Sequence, residues 1–331
     1  MIFRLILRCF ISVTLLGILS FHAHASGYTY TTLDDPFGNG NTNGWSINNN
    51  GYVVGGSYSP SASSVNFVYN GSSYDTLSDP LAVNNVFTYT NGINNNGQIA
   101  GNYIDSSGNY NGFIYNGTTY TTINDPFGVN TSADAINNTG LIVGTYYNSS
   151  NSSSDFHSFL YNGSTYTTIA DPLGVNGTIA QNINDNGQMV GFYYDASGQT
   201  HGFEYNGSIY TTINDPLGVN GTHAYGINNN GLIVGEYFDA SNTPHGFEYN
   251  GSIYITINAP LGVNGTIASQ INDKGQIVGT YFDTSNNSHG FIATPGVATL
   301  PIPSALWLTG SSLLSLGFFR RKIKQGRNAG C

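Results

Sequence analysis

Apolar and aromatic residues in this chain alternate with polar ones over short runs, and each run is closed by Gly, Asn, Asp or Pro. That pattern belongs to half-buried strands joined by tight turns, not to helices. Between Thr222 and Ile257 it resolves into one complete unit. Thr222 to Asn228 reads as a first strand, and Asn229-Asn230-Gly231 as a tight turn. Leu232 to Phe238 is a second strand, rich in β-branched and aromatic residues, and Asp239 to Pro244 is a longer loop. His245 to Tyr249 is a third strand, Asn250-Gly251 a hairpin, and Ile253 to Ile257 a fourth strand. Asn-Gly suits such hairpins because both residues tolerate positive φ. The corner Ala259-Pro260-Leu261-Gly262 cannot continue a ladder, because proline lacks the N–H.

This unit is repeated. The stretch from His201, HGFEYNGSIYTTINDPLGVNG, returns at His245 with changes only at Ile255 and Ala259. Weaker copies run along most of the chain. An Ile-Asn pair begins at Ile47, Ile93, Ile136, Ile183, Ile227 and Ile271. A central Phe stands at 67, 113, 159, 203, 247 and 291, and a turn Pro at 36, 80, 126, 172, 216 and 260. The spacing of 43 to 47 residues is that of a four-stranded propeller blade. The repeat array starts with an orphan fourth strand, Tyr28 to Leu33, and ends on a third strand, His289 to Ile292, that lacks its fourth. One orphan completes the other. The prediction is an all-β, six-bladed β-propeller of ~45-residue repeats closed by its N-terminal strand. A β-prism or an open β-solenoid is the alternative, although an open solenoid has no need of that complementarity.

The signature His201-Gly202-Phe203, Tyr210-Thr211-Thr212-Ile213, Asp215-Pro216 and Ile183-Asn184 with Gly187, Val190 and Gly191 resembles the extracellular HAF-repeat proteins. The resemblance covers nearly all of the repeat region. It implies export and a propeller-like array, and it brings no catalytic residues with it.

Both ends carry sorting patterns. Residues 1–25 read as a secretory signal: Arg4 and Arg8, the apolar run Cys9 to Phe21, then Ala23-His24-Ala25 as the cleavage site. Residues 26–295 hold the repeats. In residues 296–331, Pro301-Ile302-Pro303 precedes an almost uncharged run to Phe319, and Arg320-Arg321-Lys322 follow. An apolar run followed by cations stops transfer and leaves the cations on the cytoplasmic side. The arrangement resembles the PEP-CTERM sorting signal of Gram-negative bacteria that export exopolysaccharide, although Ile302 stands where that signal has its Glu. It implies a transmembrane helix and processing by an exosortase-type protease; a permanent single-span anchor is the alternative.

Composition narrows the function. Charged residues are 8% of the chain, and seven of its 8 Lys and Arg lie in the end segments. Lys274 is left alone against all 18 carboxylates, a formal −17 for the repeats, so a nucleic-acid partner is excluded. The two cysteines, Cys9 and Cys331, also lie in the end segments, so the repeats have no disulfide, thiolate site or Cys nucleophile.

Topology puts the loops between second and third strands, and the corners between blades, on one side of the ring. The Asn-Gly hairpins lie on the other side. The first side therefore collects Asp105, Asp195, Asp239 and Asp283 from loops, and Asp35, Asp79, Asp125, Asp171 and Asp215 from corners. Asp195, Asp239 and Asp283 are candidates for Ca²⁺, a hard ion that takes several oxygens. Self-capping of the loops explains the same residues without a metal, and no cofactor is otherwise expected. His157, His201, His245 and His289 share one slot, which reads as structural.

The informative slots are those where the repeat breaks its own rule. Two residues before each Ile-Asn stand Trp45, Asn91, Asp134, Gln181, Tyr225 and Ser269, with Tyr89 and His223 nearby. Innermost strands border the channel, so these residues are the candidate ligand site, suited to a sugar ring. Glu204 and Glu248 break a second rule, where other blades carry apolar residues. Glycoside cleavage needs a carboxylate pair separated by roughly 5–5.5 or 6.5–9.5 Å, and duplication of HGFEYNG explains the matching Glu without chemistry. The expected function is that of an exported, non-enzymatic propeller binding exopolysaccharide or a surface protein. The alternative is an extracellular glycan hydrolase or lyase using Asp134 or the Glu204/Glu248 pair.

Overall fold

The computed structural model describes residues 27–37, 41–59, 62–83, 87–148 and 156–296. The secretory and sorting segments, with Pro301, Pro303, Arg320, Arg321 and Lys322, lie outside the described residues. Within them every regular element is a strand, and the strands form six four-stranded antiparallel sheets. The innermost strands are Thr42–Ile47, Thr88–Ile93, Asn130–Ile136, Thr178–Ile183, Thr222–Ile227 and Thr266–Ile271. Each packs against the next, and the last packs against the first. The predicted six-bladed propeller is observed.

Closure follows the predicted route. Tyr28–Leu33 pairs antiparallel with Ser288–Pro295, Leu33 facing Gly290, and so supplies the outer strand of the last blade. Gly27 and Gly296 are hydrogen-bonded on the hairpin side, and Pro295 lies beside Gly275 of a hairpin turn. Both ends of the ring therefore leave from the side opposite the corners.

Each blade has the same core. Phe67, Phe113, Phe159, Phe203, Phe247 and Phe291 expose 0% of their surface. Full burial of one such side chain contributes about 2–3 kcal/mol. The ring lies over a glycine of the adjoining strand, as Phe247 does over Gly235 and Phe159 over Gly144. A Cβ on either glycine would meet both the Phe ring and a carbonyl of the innermost strand, so no larger residue fits.

The blades are tied to one another by the Asn of each Ile-Asn pair. Its Nδ2 donates to the carbonyl of the same Asn in the next blade: Asn48 to Asn94, Asn94 to Asn137, Asn137 to Asn184, Asn184 to Asn228, Asn228 to Asn272, and Asn272 back to Asn48, all 3.0 Å. Its Oδ1 accepts two N–H groups of its own turn, as Asn184 does from Asn186 and Gln188. These six asparagines are buried.

A second ring lies one residue further on. The backbone N–H at each position donates to the side-chain oxygen at the same position of the next blade, through Asn49, Asn95, Asn138, Asp185, Asn229 and Asp273 at 2.7–2.8 Å. Asp185 and Asp273 each accept two further amide N–H bonds, which solvates both carboxylates without a cation.

The rings make a specific demand. Asn184→Ala loses four hydrogen bonds, two donated by Nδ2 to Asn228 and Gln188 and two accepted by Oδ1, and is expected to cost about 4 kcal/mol, at roughly 1 kcal/mol per bond. Asn184→Asp keeps the acceptor but removes the donor and sets a carboxylate near the Asn228 carbonyl. Urea unfolding should show Asp at least as destabilising as Ala; a near-neutral Asp variant would show that the interblade donor contributes little.

Candidate functional site

Every innermost strand carries a β-bulge at the same place. The register to the second strand slips between Gly44 and Ser46, Thr90 and Gly92, Ala133 and Ala135, Ala180 and Asn182, Ala224 and Gly226, and Ala268 and Gln270. The skipped residues are Trp45, Asn91, Asp134, Gln181, Tyr225 and Ser269. A bulge takes one residue out of the ladder and re-aims its side chain. All six line one cavity of about 350 Å³ in the channel, on the side of the corners. The opposite end, inside the amide rings, encloses only about 60 Å³.

A second variable slot, not singled out in the sequence, supports the first. It is the residue after the core-packing glycine of each second strand: Gly56, Asn102, Thr145, Phe192, Glu236 and Thr280. Its signal is visible afterwards, because it too changes from blade to blade. The Trp45 indole lies over Gly56, where a Cβ would come within 2.5 Å of it. Thr145 donates to Asp134 Oδ2 at 2.5 Å, and Ser132 donates to Oδ1 at 2.6 Å. Asn91 Nδ2 bonds Asn102 Oδ1, Ser132 Oγ and the Ala133 carbonyl at 3.0–3.2 Å. The Tyr225 hydroxyl donates to Glu236 Oε1 at 2.5 Å.

Tyr89 and His223 are not among the residues lining the cavity. His223 sits behind it, stacked on Phe192 with ring centroids 4.1 Å apart. Its Nδ1 lies 3.0 Å from the Tyr225 hydroxyl and 3.1 Å from Glu236 Oε1, so it holds Tyr225 from behind. Its Nε2 is buried and has no hydrogen-bond partner.

Burial sets the electrostatics of the wall. It raises Asp134 from the usual carboxylate value to about 6, against the lowering pull of Ser132 and Thr145. It also raises the Tyr225 hydroxyl well above its ordinary value, with the Glu236 charge adding to the shift.

The remaining candidates are not assembled into a site. Glu204 accepts from Gln188 Nε2 at 2.9 Å within its own blade, whereas Glu248 accepts from the Tyr28 hydroxyl of the closing strand. Neither lines the channel cavity. In the loops, Asp195 Oδ1 accepts from the N–H groups of Ser197 and Gln199, and Asp239 and Asp283 do the same in theirs. Their second oxygens face His201, His245 and His289 at 3.2, 3.2 and 3.5 Å. Hydrogen bonds within the loop, from the Ser197 hydroxyl to Asp195 and from backbone N–H to Asp239 and Asp283, hold all three carboxyls below the usual range. No group of three or more metal-ligating side chains occurs among the described residues. Each corner Asp, by contrast, is buried and caps its own turn, as Asp215 does for Leu217. Beside these caps Phe37, Leu81, Phe127, Leu173, Leu217 and Leu261 stay 57–69% exposed, on the side of the cavity.

No protein-family model matches the chain, and no curated protein matches its sequence. Its fold is similar to solved propellers. A lectin of Aleuria aurantia, solved as a point mutant in complex with Fucα1-6GlcNAc, superposes with a TM-score of 0.50 at 12% identity, over 80% of this chain and 98% of the lectin. AofleA of Arthrobotrys oligospora gives 0.50 at 10%, covering 82% and 94%. The β-propeller domain of the Trilobed protease of Pyrococcus furiosus, described as an open velcro, gives 0.50 at 10%, covering 80% and 83%. At these identities the likeness is one of fold.

Asp134 has a pH signature. Its carboxyl is raised in the folded state, so ionised burial opposes folding above pH ~6, and the penalty fades as pH falls toward the unfolded value. Asp134→Asn should therefore stabilise the protein at pH 8 by about 1–3 kcal/mol. The gain should shrink through pH 6 and be small at pH 4.5. Chemical unfolding at the two pH values checks this; a gain that does not change with pH would place the Asp134 carboxylate in water.

Proposed function

We propose that this protein is a non-enzymatic, exported carbohydrate-binding propeller that holds extracellular polysaccharide in the mouth of its channel. One observation carries the reading. Six blades whose scaffold is uniform place their six bulge residues, all different, around one cavity of about 350 Å³. That volume is within the range of small-ligand sites. Trp45 and Tyr225 offer flat apolar faces for a sugar ring, and Asn91, Asp134, Gln181 and Ser269 offer hydrogen bonds to hydroxyls. The fold likeness to a lectin solved with a fucosyl disaccharide is consistent with this use of the ring.

The sorting patterns fit the same role. Gly27 and Gly296, the ends of the ring, lie on the hairpin side, so an anchor that follows Gly296 would hold the cavity facing away from the membrane. The exposed Phe and Leu at the corners ring that outward face and suit contact with a surface protein. Exosortase-type processing would release the ring into the matrix.

A glycan array probed with the purified protein should show binding to a restricted set of oligosaccharides. Trp45→Ala should weaken it by about 10- to 100-fold, the usual cost of losing a central aromatic contact. An empty array, or wild-type affinity in Trp45→Ala, would remove the channel mouth as the site.

A further inference from the structure

We infer that the ligand of the channel mouth is cationic: a glycan of the amino-sugar class whose amines are free, not acetylated. The inference rests on the carbohydrate-binding reading and names the substrate class within it. The charge that the wall carries is negative. Among the described residues, Asp134 is the carboxylate that lines the cavity, and no Lys or Arg lines it. Lys274, the lone cation of the repeats, sits in a hairpin turn at the opposite end.

Two neutral groups of the wall, Asn91 and Tyr225, point to the same polarity. Asn91 commits its Nδ2 to Asn102, Ser132 and the Ala133 carbonyl, which leaves its Oδ1 for a ligand. The Tyr225 hydroxyl donates its proton to Glu236, which leaves an oxygen lone pair and a ring face. Asp134 has two donors, Ser132 and Thr145, against the roughly four lone-pair positions of a carboxylate, so it can still accept from an ammonium.

Trp45 adds the face of an indole, the best aromatic partner for a cation. Gly56 is what allows the indole to lie flat against the second strand. A uronate would bring a second carboxylate against Asp134. An N-acetyl group would replace an ammonium, three donors and a charge, by one neutral N–H.

The test compares tetrasaccharides of glucosamine, N-acetylglucosamine and a uronic acid by titration calorimetry at pH 7. The glucosamine tetramer is expected to bind at least about 10-fold more tightly than the acetylated one, the scale of one charge-assisted contact, and the uronate not at all. Asp134→Asn should abolish the preference, bringing the affinities of the glucosamine and acetylated tetramers to within about 2-fold of each other. Gly56→Ala, which displaces the indole but keeps every charge, should weaken the glucosamine tetramer.

Equal or tighter binding of the acetylated tetramer overturns the amine assignment and leaves the carbohydrate reading standing. Failure of all three probes, with an empty array, removes both. Amine preference that survives Asp134→Asn also overturns the proposal, because it would come from the general negative charge of the ring and not from this cavity.

Discussion

The structure depends on an amide that donates in one direction and accepts in the other. Each Asn of the Ile-Asn pairs closes its own turn with Oδ1 and reaches the next blade with Nδ2. No other side chain of that length does both. Asp has no donor, Ser is too short to reach, and a cation would need a counter-charge in a chain that is 8% charged. Six such bridges, the last returning from Asn272 to Asn48, convert a row of sheets into a ring. Buried amides must be satisfied, and here the only way to satisfy them is to complete the circle. The outer strand at Tyr28–Leu33 closes the last blade, while the asparagines close the channel wall.

Because the hairpin end is held by two hydrogen-bonded rings, the corner end is free to vary. The bulge on each innermost strand takes one residue out of the ladder, two positions above the fixed Ile-Asn. What stands there has no part in strand pairing. A Trp, an Asp and a Ser can therefore occupy equivalent places without disturbing the blades. The second strand adapts locally: Gly56 makes room for an indole, Thr145 supplies a hydroxyl to a carboxylate, and Glu236 accepts a hydrogen bond from a phenol. The site is a set of matched pairs on an unchanging frame.

Much of the frame was legible from the chain alone, because period, strand alternation and turn chemistry are local. Tyr28–Leu33 was readable as a closing strand from what the two ends of the array lacked. The bulge residues were legible as a candidate site because they break the repeat, and the fold brings all six to one cavity. The partner slot on the second strand was not, since only through-space contact shows that Gly56 serves Trp45 or that Thr145 serves Asp134. The same limit applies to His223. It lies two residues from Tyr225 in sequence and touches it, yet strand alternation and stacking on Phe192 place it behind the wall. The asparagine ring was visible only as a periodic marker, because its acceptor lies a whole blade away.

The two copies of HGFEYNG show why identity between repeats is a poor guide to chemistry. Glu204 and Glu248 occupy equivalent positions in nearly identical sequences, yet one is held by Gln188 of its own blade and the other by Tyr28 of the closing strand. The difference comes from the neighbours, since only the second copy stands beside the blade that the N-terminus completes. Had the pair formed a catalytic dyad, both would have needed a common cavity, and the ring does not provide one at the third strand. The third strand is separated from the axis by the two strands inside it. In this architecture residues of the innermost strands and their turns are the ones that come together from all six blades, the Asn rings at the hairpin end and the bulge residues at the corner end. A residue repeated in two blades on an outer strand, however well matched, has no route to the same ligand.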